Sequence, residues 1–124
     1  MFSTTVFITL VICGSMIIFG LIFVKCPPKD INGVYGYRTA MSSKNQQTWD
    51  FAHLYSGKVW LISGIITLII SFIIIFLFKG SFSDKKSYAW LYMMIFNLSA
   101  MLIVVPLTEY KLRQKFDKDG REKK

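Results

Sequence analysis

Few residues in this 124-residue chain could do chemistry, and most fall in or beside one stretch, Asn32 to Trp60. Asp50 and His53 stand three apart, a helical spacing that can present two metal ligands, with Cys26 and Glu109 as further donors at the same boundary. A zinc site takes three or four ligands, so the pair alone does not make one, and the sequence supports no metal or cofactor. An interfacial histidine bonded to a carboxylate or carbonyl is the plainer reading. No serine is framed by glycines and neither cysteine has an adjacent base, so nothing points to a hydrolase or to any other enzyme. Phe116-Asp117-Lys118-Asp119-Gly120 lacks the spacing and closing Glu of a calcium loop. Arg38 lies between aromatics in a glycine-rich turn. A bidentate pair with Asp30, Asp50 or Glu109 would clamp the loop to two helices; the other reading is a site for a lipid phosphate or a peptide carboxylate.

The elements that hold these groups follow from where charge is missing. Phe2–Val24, Val59–Phe78 and Ser87–Thr108 are runs of 23, 20 and 22 residues without Asp, Glu, Lys, Arg or His. About 20 helical residues cross a bilayer core of ~30 Å, and a soluble helix needs a charged face that these runs lack. The expectation is an all-α membrane protein with three transmembrane helices and a single membrane domain over 1–124. Its parts are a first span at about 4–24, a cytoplasmic loop at 25–43 and a helix at 44–78 that contains the second span, 59–78. An outer turn at 79–84, a third span at 87–107 and a cytoplasmic tail at 108–124 complete it. The residues outside the lipid are too few for a separate soluble core.

The net charge of +8 is topological. Twelve of the 15 basic residues fall in the first loop and the tail and three in the second loop. The positive-inside rule then places the N-terminus outside and the C-terminus in the cytoplasm. The partner this implies is the lipid bilayer, with no direct nucleic acid. Cys13 and Cys26 lie ~20 Å apart on one helix and cannot pair. The first run lacks a basic n-region and a small-residue cleavage pattern, so it reads as an uncleaved helix.

Helix one stops at Pro27-Pro28, and Gly14, Ser15 and Gly20 are candidates for a close-packed face. In the loop, Asn32, Gly33, Tyr35, Gly36, Tyr37, Arg38 and Thr39 read as a compact turn at the membrane surface. Ser43 and Gln46 have capping-box spacing for the next helix. That helix exceeds the bilayer by several turns. It either extends into the cytoplasm as an amphipathic segment or bends near Gly57. Trp49, His53, Ser56, Trp60, Gly64, Thr67 and Ser71 form one stripe along it. Asp84 suits the start of helix three, Pro106 should bend it, Asn97 is the most polar residue in any span, and order should end at Gly120. No span carries an ionisable group, which disfavours proton-coupled transport by a monomer. A small oligomeric pore or transporter subunit, built from a homo-oligomer, stays open as an alternative.

Asn32-x-x-x-Gly36-Tyr37-Arg38-Thr39, followed by Trp49-x-x-x-His53-x-x-Ser56-Gly57-Lys58-x-Trp60, resembles the SdpI family of bacterial membrane proteins. The tail from Glu109 to Gly120 also resembles its short, three-span members. Tyr37 departs from the usual Ile or Val, Ala52 and Leu54 flank His53 where longer members tend toward Thr and Arg, and the second membrane domain of those members is absent. The resemblance implies a bacterial plasma-membrane immunity protein. It would give resistance to a secreted membrane-active antimicrobial peptide, and would signal through a repressor held at the membrane. It implies a peptide toxin and a repressor as partners, and a recognition core over Asn32–Trp60.

Overall fold

A computed structural model describes residues 2–123. Helix α1 is Phe2–Lys25, α2 is Gln46–Leu77, α3 is the single turn Lys79–Ser83, α4 is Ala89–Leu102 and α5 is Val104–Lys115. Only Ile103 separates α4 from α5, and together Ala89–Lys115 form one 27-residue apolar helix. With α1 (24 residues) and α2 (32 residues) this makes three helices long and apolar enough to cross a membrane. Among the described residues there is no strand, only an isolated antiparallel bridge between Phe116 and Glu122. The protein is an all-α membrane protein.

The bundle is built with its small and polar residues inside. On α1, Thr5, Thr9, Cys13, Met16, Gly20 and Phe23 are buried, while Phe7, Ile18 and Phe19 face out. On α2 the buried stripe includes Trp49, His53, Ser56, Gly64, Thr67 and Ser71, as the spacing predicts, whereas Ile62, Ile66, Ile69 and Ile73 are exposed. Lipid tails are as apolar as isoleucine, so nothing drives these large side chains inward; small groups that pack closely and hydroxyls that need partners go there instead.

Two glycine contacts set the α1–α2 approach. A Cβ added at Gly20 would stand 2.7 Å from the Leu61 nitrogen and 2.8 Å from the Gly57 carbonyl oxygen. One added at Gly64 would meet Ile17 Cγ1 at 2.9 Å. Gly57 is therefore a contact point, not a bend, and α2 runs unbroken past it. At ~1.5 Å per residue the helix is ~48 Å long, so Gln46–Lys58 continues beyond the uncharged part. Gly14 has open space around it and Ser15 bonds its own helix at the Val11 carbonyl, so among the three candidates Gly14, Ser15 and Gly20 it is Gly20 that makes the close contact among the described residues.

Three local expectations are corrected. The cap of α2 is Asn45 with Thr48, not Ser43 with Gln46: Asn45 Oδ1 accepts from the Thr48 amide at 2.9 Å and Thr48 Oγ1 accepts from the Asn45 amide at 3.0 Å. Ser43 is instead used in a turn, its amide donating to the Thr39 carbonyl. Asp84 closes α3 and accepts from the Lys86 amide, so α4 starts later, at Ala89. The chain also stays ordered past Gly120. The Asp117 amide donates to the Arg121 carbonyl and the Lys123 amide to the Lys115 carbonyl, both at 2.8 Å, which folds the tail into a hairpin. Lys124 lies outside the described residues. The interruption at Ile103 fits Pro106, which has no N–H to give the Leu102 carbonyl.

Candidate functional site: an aromatic collar at the membrane boundary

The loop between α1 and α2 is held by side chains that stand in for a backbone ladder. Asn32 Oδ1 accepts from the Val34 and Tyr35 amides at 2.9 and 2.7 Å, while its Nδ2 donates to the Asp30 carbonyl. This turn leads into Gly36, whose φ of +118° is a region that L side chains rarely adopt. A Cβ there would also lie 2.6 Å from His53 Nε2. Glycine is thus required twice over, by the turn and by the imidazole behind it.

The reversal at Gly36 aims the Tyr37 amide at His53. It donates to His53 Nε2 at 2.9 Å, and His53 Nδ1 lies 2.7 Å from the Trp49 carbonyl oxygen. An amide can only donate and a carbonyl only accept, so the ring carries its proton on Nδ1 and is neutral. His53 is fully buried, and burial holds its pKa below the ordinary histidine value, opposed by the Trp49 carbonyl and the Asp50 charge. Both nitrogens are engaged, which leaves no lone pair for a metal. Asp50 is exposed and accepts from Gln46 Nε2 at 2.7 Å. Among the described residues no three of His, Cys, Asp or Glu converge.

Aromatic rings pack around this imidazole. Phe23, at the end of α1, meets His53 edge-on at 5.0 Å, stacks on Trp60 at 5.9 Å and touches Tyr35 at 6.1 Å. Trp49 is fully buried and its Nε1 donates to the Pro28 carbonyl at 2.7 Å. Trp60 Nε1 donates to the Met101 carbonyl at 2.9 Å, close to the interruption at Ile103. The two tryptophans therefore tie α2 to the loop on one side and to α4 on the other.

The link to α5 comes from Tyr37, a turn residue to which the sequence alone assigns no clamp. Its hydroxyl donates to Glu109 Oε1 at 2.9 Å and lies 3.2 Å from the Val105 carbonyl oxygen. Burial, then the neighbouring Glu109, pushes the phenol pKa up. On its other side, Ser42 Oγ donates to the Tyr37 carbonyl at 2.9 Å and accepts from the Thr39 amide, while Thr39 Oγ1 accepts from the Ser42 amide. The expected Arg38 clamp is not formed. Arg38 is exposed, and its guanidinium donates to the Gly33 carbonyl instead of to Asp30, Asp50 or Glu109. The buried tyrosine already fills the place between loop and third helix, while Arg38, the next residue, is exposed.

Of the candidate residues, the structure thus joins Asn32, Tyr35, Gly36, Thr39, Trp49, His53, Gly57, Trp60 and Glu109 in one collar. Arg38 stands on its rim, and Asp50 and Lys58 are on the exposed side of α2. Asn97 belongs elsewhere. It is fully buried between the three long helices, where Oδ1 accepts from Ser71 Oγ at 2.9 Å and Nδ2 donates to Thr9 Oγ1 at 3.0 Å. Cys13 Sγ lies 3.8 Å from the same oxygen.

Sequence reading also missed Asn45. Besides capping α2, its Nδ2 donates to the Gly120 carbonyl at 2.6 Å, and Gly120 takes φ +83° against it. The Asn45-x-x-Thr48 spacing was the available signal for the cap, but not for the tail. Asp117 holds the hairpin by accepting from the Asp119 and Arg121 amides; those bonds, the one from Arg121 first, keep its carboxyl below the usual range.

On the outer side of the collar is a recess of about 220 Å³ lined by Phe19, Phe23, Val34, Tyr35, Gly36, Arg38 and Trp60. It is apolar below and carries one cation at its rim. The indole N–H groups of Trp49 and Trp60 are both spent on carbonyls within the fold.

Comparison with known proteins gives two findings. The profile of the SdpI/YfhL protein family matches residues 29–108, from the start of the collar loop to the end of the third uncharged run. The uncharacterized protein YfhL of Bacillus subtilis (strain 168) is 33% identical over 113 residues, covering 87% of this chain and 93% of its own length. No solved structure matches.

Proposed function

Because the chain belongs to the SdpI/YfhL family, we propose that it is an immunity protein of the bacterial plasma membrane, protecting its cell against a secreted membrane-active peptide. The observation that carries this reading is the match over residues 29–108, which takes in nearly the whole collar. The protein acts by binding, not by catalysis, and signalling through a membrane-held repressor is part of the same proposal. The basic loop and tail face the cytoplasm and the N-terminus faces outward, in keeping with the distribution of lysine and arginine. A pore gains no support from the spans, since Thr9, Ser71 and Asn97 bond one another.

Expression in a peptide-sensitive bacterium tests the proposal. Survival in the presence of peptides encoded beside the gene should rise, and should fall back when Gly36 is replaced by Val. No gain in survival against any of them sinks the immunity reading.

A further inference from the structure

Among the recesses, the one at the collar differs from the others in chemistry and in level. A cleft of about 370 Å³ at the opposite end, lined by Ile74, Phe82, Tyr92 and Phe96, is apolar with no cation in its lining. Two more, beside the tail hairpin, hold Lys115 or Lys123 together with Asp50 or Asp117. At the collar, Arg38 is the sole charge among the lining residues.

We propose that this recess binds an anionic phospholipid, with the phosphodiester on Arg38 and the upper acyl chain against Phe19, Phe23 and Trp60. Three observations converge. The Gly33 carbonyl is the one hydrogen-bond partner of the guanidinium among the described residues, which fixes the side chain while leaving the rest of its fork unengaged. The recess spans the boundary itself: Trp60 stands one residue inside the uncharged run that begins at Val59, while Val34 and Arg38 are in the loop. Finally, charge and shape agree. A free phosphate has no use for a floor of Phe19, Phe23 and Trp60, whereas a lipid supplies an anion and a chain at the spacing of rim and floor. Basic pockets beside transmembrane helices, with aromatic residues at headgroup level, favour anionic lipids for these reasons. The site is independent of the protective role, and either can fail without the other.

The test uses the full chain in lipid nanodiscs, carrying Trp90→Phe so that Trp60 is the accessible reporter, Trp49 being fully buried. Bromine-labelled phosphatidylglycerol should quench Trp60 at about fivefold lower mole fraction than bromine-labelled phosphatidylcholine, the ratio expected from one well-placed cation. Arg38→Gln should abolish that preference. So should Val34→Asp, which places a repelling charge on the rim at a side chain 87% exposed and therefore free of packing. Lys118→Gln, which removes the same charge from the tail, should leave the preference intact. Equal quenching by the two lipids, or equal losses in the Arg38 and Lys118 variants, overturns the proposal. So does displacement of the lipid by excess inorganic phosphate, or by a short apolar peptide with a free C-terminal carboxylate, since either would make the recess a site for a different ligand.

Discussion

The Tyr37 backbone amide donates to His53 Nε2 across 2.9 Å, joining the first loop to the second helix through a neutral imidazole. The bond depends on Gly36, the residue before the tyrosine, and on the Trp49 carbonyl that holds the ring's other nitrogen. Loop shape and histidine protonation are thereby one property.

Gly36→Ala should be the most damaging single-methyl addition in the collar. Positive φ costs a non-glycine residue about 1–3 kcal/mol, and the imidazole, which the new Cβ would approach to 2.6 Å, has to shift and break the Tyr37 bond for roughly 1 kcal/mol more. Thermal unfolding in detergent should show the melting temperature falling by several degrees. Gly14→Ala, with open space around it, should leave it unchanged or slightly raised.

Acid should weaken the collar through His53. Its pKa is lowered in the folded state, so below about pH 6.5 the unfolded chain binds a proton that the folded chain refuses. Stability is full above that value and is lost as the pH falls from it toward the lowered folded value. Melting temperatures measured between pH 8 and 5 should be level at first and then drop; in His53→Gln the drop attributable to this group should vanish, from a lower starting point.

Tyr37→Phe and Arg38→Lys should behave oppositely to what their charges suggest. Losing the hydroxyl leaves Glu109 without its 2.9 Å donor and should cost about 1–2 kcal/mol. The arginine is exposed, so the lysine variant should change stability by less than about 0.5 kcal/mol. Parallel denaturation of the two proteins checks this, and an arginine variant as unstable as the tyrosine one would show that Arg38 is a clamp after all.

Asn97→Ala should loosen the centre of the bundle. It strips Ser71 Oγ and Thr9 Oγ1 of their shared partner, and hydrogen bonds between membrane helices are worth about 0.6 kcal/mol each, with a ceiling near 1.7. A double-mutant cycle with Ser71→Ala should return a coupling of about that size, measured by unfolding in mixed micelles.

How much of this the sequence discloses depends on distance along the chain. The three spans are legible because absence of charge is local, and the α2 stripe because helical spacing is. Asn97 announces itself by being polar where little else is. The loop is harder. Whether Tyr35, Tyr37 or Arg38 turns inward is decided by the sign of φ at Gly36 and by a histidine 16 residues beyond Tyr37, so nothing local separates an Arg38 clamp from the one that Tyr37 makes. Helical geometry alone could not separate Gly14 from Gly20, since only the partner helix supplies Leu61 and Gly57 as neighbours. The tail hairpin was invisible because its anchor, Asn45, lies 75 residues away.

That last contact also has an order in time. Synthesis runs from the N-terminus, so all three spans are made before Gly120 exists to accept from Asn45. The collar can insert early, and its second helix meets the tail only after the third span has been made.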